Sequence, residues 1–89
     1  MKIKKGFVTR KMGDKTVVVA TGEASLNFRG MIELNSTAAD IWSWVSEGLD
    51  KDAVAQKFEE KYNLDTVKAK ADTDKIIEKM KQTGVFEDE

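Results

Sequence analysis

The side chains that could take part in chemistry in this chain are carboxylates, lysines and hydroxyls. Histidine and cysteine are both absent from its 89 residues, which removes the commonest general base, the commonest transition-metal ligands and the thiolate nucleophile. The 16 acidic and 15 basic residues show no recognisable catalytic spacing. We therefore expect a protein that is not an enzyme, with no catalytic residue, metal site or cofactor.

Charge and hydropathy narrow the function classes further. The net charge is −1, whereas nucleic-acid binders usually carry a basic excess that neutralises phosphates. No apolar run approaches the roughly 18 residues of a membrane span, and no hydrophobic region of signal-peptide length follows the basic residues 1–6. We expect a single domain over residues 1–89 that is cytoplasmic and has neither a nucleic-acid nor a membrane partner.

The N-terminal third of the chain has the pattern of β-strands. Segments 7–12 and 15–21 are rich in β-branched residues, and Gly13-Asp14 between them can form the tight turn of a hairpin. A two-residue loop would place Val8 opposite Val19, and a three-residue loop would shift that register by one. A third strand is expected over about residues 26–34, at an edge of the sheet, interrupted by Gly30.

The hydrophobic period changes to that of helices after residue 34, and three helices are predicted over about residues 35–83. Each has two candidate N-capping residues, which from the first helix to the third are Asn35 or Ser36, Asp50 or Asp52, and Asp65 or Thr66. Gly84 is expected to end the third helix, after which Val85 and Phe86 fold back as a short apolar anchor. These elements together predict an α+β domain.

The junction between strands and helices resembles a known family. Residues 34–42, Leu-Asn-Ser-Thr-Ala-Ala-Asp-Ile-Trp, carry the most specific part of the resemblance, and segments 6–8, 17–19, 30–33 and 72–85 extend it over nearly the whole chain. These segments resemble the PqqD-like family, also called recognition elements for RiPPs, the ribosomally made and later modified peptides. The resemblance implies a three-stranded antiparallel sheet followed by three helices in a winged-helix-like arrangement.

The resemblance also implies a function. Members of the family bind the leader segment of a ribosomally synthesised precursor peptide by strand addition, and present it to a maturation enzyme. That enzyme is frequently a radical S-adenosylmethionine (SAM) enzyme. The leader lies between the third strand and the third helix, so an unpaired strand edge and neighbouring side-chain pockets are required.

The candidate peptide-binding residues of this chain lie on those two elements. They are Asn27, Arg29, Gly30, Met31 and Glu33 on the strand, and Asp72, Ile76, Lys79, Met80 and Thr83 on the helix. One flank of the third helix carries Asp72, Lys79 and Thr83, and the other carries Lys70, Asp74 and Lys81. We expect the first flank to border the peptide, above a floor of Ile76 and Met80. Lysines there would favour an acidic leader.

Alternative interpretations exist for each of these features. The third strand could be a charged edge without a ligand, or could pair with a second copy in a homodimer, and Ile76 and Met80 could be plain core residues. Trp42 is expected in the core, whereas Trp44, at the edge of the apolar stripe, is a candidate for docking a partner. Two alternative functions are a winged-helix nucleic-acid-binding domain and a small regulatory subunit of an enzyme.

Overall fold

A computed structural model of the chain describes residues 2–22 and 31–87. Three strands precede three helices in it, and the sheet order is β1-β2-β3. The elements are β1 (Phe7–Met12), β2 (Lys15–Ala20), β3 (Met31–Leu34), α1 (Ser36–Ser46), α2 (Lys51–Tyr62) and α3 (Thr66–Gln82). The structure therefore confirms the α+β class, with a three-stranded antiparallel sheet followed by three helices.

The β1–β2 hairpin has the two-residue loop. Val8 lies opposite Val19 and Met12 lies opposite Lys15, so the register that the sequence left open is settled. Gly13 has a φ of 69°, which is a left-handed conformation that glycine adopts without strain and that the first position of a tight hairpin turn requires. β2 is the central strand, and its Val17 and Val18 are buried on opposite faces of the sheet.

The third strand lies at an edge of the sheet, as predicted. Val18 is opposite Ile32, and Thr16 is opposite Leu34. Within the described part of the chain, β3 has a strand neighbour on one side only. The structure gives β3 as Met31–Leu34, and the earlier part of the predicted strand, with Gly30, lies outside the described residues.

Each helix begins at an N-capping side chain. Asn35, Asp50 and Asp65 are the residues that accept hydrogen bonds from the first-turn backbone amides, at 2.9, 2.8 and 2.7 Å respectively. Such a bond satisfies one of the amides that has no partner within the helix. The first candidate of each pair is therefore the cap, and the strand-to-helix junction at Asn35 fixes where α1 leaves the sheet.

The core lies between one face of the sheet and the three helices. Val18 and Leu34 contribute from the sheet, and Ile41, Trp42 and Val45 contribute from α1. Trp42 is 4% exposed, so its predicted place in the core is confirmed.

The end of the described chain returns to this core, as predicted. Val85 and Phe86 are buried, and Phe86 forms an antiparallel bridge with Ile3. The apolar anchor thereby holds the N-terminal segment beside α3.

Thr73 is a polar side chain inside this core. It lies on α3, it is fully buried, and its hydroxyl has no hydrogen-bond partner among the described residues. We expect Thr73→Val to raise the free energy of unfolding by about 1 kcal/mol, because it removes an unsatisfied buried hydroxyl while keeping the branched shape. Urea unfolding measures this change. Thr66→Val, at the exposed start of α3, is the control, and an equal gain there would contradict the explanation.

A polar cluster joins α1 to α2. The Tyr62 hydroxyl donates a hydrogen bond to the Asp40 carboxylate, and Lys61 Nζ lies 2.9 Å from Asp40 Oδ2. Burial raises the pKa of Asp40, but the hydrogen bonds from Tyr62 and Lys61 together with the lysine charge lower it more, so the net pKa is below its usual value. The hydrogen bond to Asp40 and burial raise the pKa of Tyr62.

These shifts predict a pH dependence with two limbs. The lowered pKa of Asp40 gives stability that is present above the unfolded pKa and lost as pH falls through the folded pKa. The raised pKa of Tyr62 gives stability that is present below the unfolded pKa and lost as pH rises through the folded pKa. Urea unfolding from about pH 3 to about pH 10.5 should show both limbs flattened in Tyr62→Phe. Parallel curves for the two proteins would contradict this role of the cluster.

Residues 2–22 and 31–87 contain neither a membrane-spanning helix nor a cluster of metal-binding side chains. None of the helices there is long and apolar enough to cross a bilayer. No group of three acidic side chains in the same residues is placed to hold a metal ion.

Candidate functional site

An open groove of about 510 Å³ lies between β3 and α3. Its residues come from β3, the start of α1 and the last two turns of α3. The lining side chains and backbone belong to Ile32, Glu33, Leu34, Asn35, Ala38, Ile76, Lys79, Met80, Gln82 and Thr83. We call this the β3–α3 groove. It lies beside the edge of β3 that has no strand partner among residues 2–22 and 31–87.

The floor of the β3–α3 groove is apolar. Leu34 and Met80 are buried, and Ile32, Ala38 and Ile76 are half-buried. Ile32 and Leu34 share the face of β3 that packs on the helices, because side chains alternate along a strand. Ile76 and Met80 are four residues apart, so they lie on one face of α3. The groove can therefore take apolar side chains from an extended segment.

The outer wall of the groove is the backbone of β3. The two-residue loop makes Met12 and Lys15 the hydrogen-bonded pair that closes the hairpin. From that pair, residues along each strand alternate between bonding the other strand of the hairpin and directing their backbone groups away from it. We infer that Thr16 and Val18 bond towards β3, and that the backbone N–H and C=O of Glu33 point away from β2. These groups can bond an added strand.

Charged and polar side chains form the rim of the groove. Glu33 is paired with Lys15 at 2.8 Å, and both side chains are exposed. The Glu33 contact raises the pKa of Lys15, first through the hydrogen bond and then through the charge. Lys79 is exposed and has no ion-pair partner among the described residues. The rim therefore offers an uncompensated positive charge to a ligand in the groove.

The structure brings five of the predicted site residues to this groove. They are Glu33, Ile76, Lys79, Met80 and Thr83. Met31 lies on β3, opposite Val19. Asn27, Arg29 and Gly30 lie outside the described residues. Asp72 lies beyond the end of the groove, and its carboxylate is paired with Lys68 one turn earlier on α3, at 3.2 Å.

The groove lies on the Lys79 and Thr83 flank of α3. Asp74, on the other flank, is bound to Lys51 of α2 at 3.0 Å, so that side of α3 faces the helical layer. Ile76 and Met80 combine two roles that the sequence presented as alternatives, since both pack against the core and also line the groove.

Sequence reasoning missed part of the lining. Ile32, Leu34, Ala38 and Gln82 line the groove but are not among the candidate peptide-binding residues that the sequence predicts. A signal for Gln82 existed, because Lys79, Gln82 and Thr83 follow the helical spacing of three and four residues. Asn35 was expected as a cap, and it both caps α1 and borders the groove.

Trp44, the candidate docking residue, is half-buried and packs against the core cluster. Its position at the edge of the apolar stripe agrees with the helical spacing, and its role in docking stays a prediction. It does not line the β3–α3 groove.

The comparisons with known proteins agree with this architecture. A solved structure described as "TbiB1 in Complex with the TbiA(beta) Leader Peptide" superposes with a TM-score of 0.79, over 100% of this chain and 98% of that one, at 18% sequence identity. That similarity shows the shared fold. A search of curated proteins gives no significant match. The family model for coenzyme PQQ synthesis protein D (PqqD) matches residues 17–85, and this chain therefore belongs to the PqqD family.

Proposed function

We propose that this protein binds the leader segment of a ribosomally synthesised precursor peptide in the β3–α3 groove. The observation that carries the proposal is the edge of β3, unpaired in the described part of the chain, beside an apolar groove that α3 closes on its other side. An added strand would bond the outward backbone groups of β3 and place alternate side chains on the floor. Membership of the PqqD family and the fold shared with TbiB1, which was solved with a leader peptide, support this function.

The bound leader is presented to a maturation enzyme, of the radical SAM class or another. The protein itself acts in the cytoplasm as a scaffold and does no chemistry. A non-catalytic role fits a chain without histidine or cysteine. It also fits the groove, whose polar groups are the strand backbone, a carboxylate, amides, a hydroxyl and a lysine. Trp44 is retained as a candidate contact to that enzyme. In the absence of leader, pairing of β3 with a second copy would give a homodimer that leader binding dissociates.

Charge on the rim gives the proposal a specific prediction. Lys79→Glu is expected to weaken binding of an acidic leader about three- to tenfold, because an attractive charge on the rim becomes a repulsive one. Calorimetric titration at low and high salt measures the loss, which should shrink as salt screens the charges. Lys81→Glu changes net charge equally but lies outside the groove, so it serves as the control. Equal losses in the two variants would remove Lys79 from the site.

The test of the function is titration of leader peptides, taken from candidate precursors encoded near this gene, into the full chain. Saturable one-to-one binding, with the largest NMR shifts at β3 and the last turns of α3, supports the proposal. Leader that fails to bind, or that shifts amides away from this groove, overturns it. A DNA duplex that binds more tightly than the leader would favour the nucleic-acid alternative. Enzyme binding that is independent of leader would favour a regulatory subunit.

A further inference from the structure

Positive charge is concentrated at one end of this nearly neutral chain. Six of the 15 basic residues fall within residues 2–15, against Asp14 alone of the 16 acidic residues. Lys15 is neutralised by Glu33. Arg10 and Lys11 on β1, and the lysines at positions 2, 4 and 5, are exposed and have no ion-pair partner among the described residues. The proposed function does not use this charge.

The basic segment borders a second groove, on the opposite edge of the sheet from β3. A space of about 410 Å³ opens between β1 and α1, and its walls include Val8 and Thr9 on the strand side and Ala39 and Ser43 on the helix side. Phe7 and Ser46 continue it into a further space of about 310 Å³, which is bordered by the lysines at positions 2, 4 and 5 and by Glu47. We call the two spaces together the β1–α1 groove.

This groove has the same construction as the β3–α3 groove. β1 is the other edge strand, so alternate residues between Val8 and Met12 direct backbone N–H and C=O groups away from β2. Lys11 is one of these residues, because it comes next to the hydrogen-bonded Met12–Lys15 pair. Apolar surface is present beside the edge, since Phe7, Ala39 and Val8, which is 40% exposed, are among the residues that line the groove. An added strand would thus find backbone partners, an apolar wall and a basic rim.

We propose that the β1–α1 groove is a second docking surface, which takes an extended, acidic segment of the maturation enzyme as an added strand. The cations select carboxylates, and the strand edge and apolar wall select an extended chain with alternating apolar side chains. A bilayer surface is too flat to enter a groove between a strand and a helix, and a duplex would leave the apolar wall unused. The identity of the enzyme rests on the proposed function, whereas the docking chemistry does not.

The two grooves can be filled at the same time. They lie on opposite edges of one sheet, and the neighbouring residues Ala38 and Ala39 of α1 face one groove each. An enzyme docked on β1 would therefore leave β3 open for the leader. Substrate and enzyme would be held on one small domain without competing for a strand edge, which raises the effective concentration of one for the other.

The test uses a model peptide of about eight residues in which valine and glutamate alternate. It is titrated into the isotopically labelled full chain, and amide shifts are mapped by NMR. We expect saturable shifts along β1 and α1 that weaken with salt. Lys11→Pro removes an outward N–H of β1 and should abolish these shifts, while leader binding at β3 is retained. Glu33→Pro, the equivalent change on β3, should leave the β1 shifts in place.

Four results would overturn the proposal. The first is an absence of saturable shifts up to about 1 mM peptide. The second is a set of shifts confined to β3 and α3. The third is equal binding of a peptide in which lysine replaces glutamate, and the fourth is tighter binding of a DNA duplex at the same residues. In a second experiment, candidate maturation enzymes are titrated with the full chain, and the enzyme that binds it should lose affinity for Lys11→Pro at least tenfold and keep it for Glu33→Pro. Loss of leader binding alone would count against the proposed function and not against this surface.

Discussion

Glu33→Pro is expected to weaken leader binding at least about tenfold, equivalent to ~1.4 kcal/mol or more. Glu33 lies on the edge strand, and its backbone N–H is inferred to point away from β2. Proline removes that donor and places a ring where the added strand must approach. The fold should survive, because proline is tolerated on an edge strand when its nitrogen faces away from the sheet. Calorimetric titration of leader measures the loss, and circular dichroism checks the fold.

Two controls separate the backbone effect from the side chain and from general damage to the sheet. Glu33→Ala removes the carboxylate but keeps the N–H. The lost pair with Lys15 is exposed on both sides, so leader affinity should fall much less than in Glu33→Pro. Lys11→Pro makes the matched change on β1 and should leave leader affinity as it is. A Glu33→Pro protein that folds and binds leader normally would exclude strand addition at β3.

Phe86→Ala is expected to lower the free energy of unfolding by about 3–5 kcal/mol, because it leaves a cavity where a large buried ring packed. Phe86 is 4% exposed, and it closes the core from the end of the described chain. A domain of this size has a total stability of about 5–15 kcal/mol. The loss is therefore a large part of the whole. Urea unfolding followed by tryptophan fluorescence measures it.

The matched control is Val67→Ala on α3, whose side chain is 80% exposed and whose loss should change stability by less than about 0.5 kcal/mol. Leader affinity of the folded Phe86→Ala protein should be unchanged, since Phe86 does not line the β3–α3 groove. A loss below about 1 kcal/mol would show that the tail only rests on the core and does not complete it.

Most of the fold could be predicted because its signals are local. Gly13-Asp14 marked the hairpin, and the capping residues marked the three helix starts to within two positions. The choice within each pair needed the backbone, because each candidate can accept from an amide two or three residues after itself and would begin the helix at a different residue. The register of the hairpin needed it as well, since Gly13-Asp14 is compatible with loops of two or three residues.

The candidate site was harder to predict because it depends on contacts between distant elements. Spacing placed Asp72, Lys79 and Thr83 on one flank of α3, but a straight flank of a helix is longer than the groove beside it. Asp72 falls beyond the groove and binds Lys68. Ile32 and Leu34 share one face of β3, as the alternation of side chains along a strand requires. Their position beside Ile76 is a tertiary contact, which no periodicity within either element encodes.

The bridge between Ile3 and Phe86 has a consequence for protein architecture. The Glu87 N–H donates to the Lys2 carbonyl at 2.7 Å, and the Lys4 N–H donates to the Val85 carbonyl at 2.8 Å. Residues 2–4 and residues 85–87 thus lie side by side on the surface. Domains of this kind tolerate insertion into a host loop and circular permutation, because joining the two ends needs only a short connection. We therefore expect this fold to tolerate insertion into a larger polypeptide, with both edges of the described three-stranded sheet left uncovered.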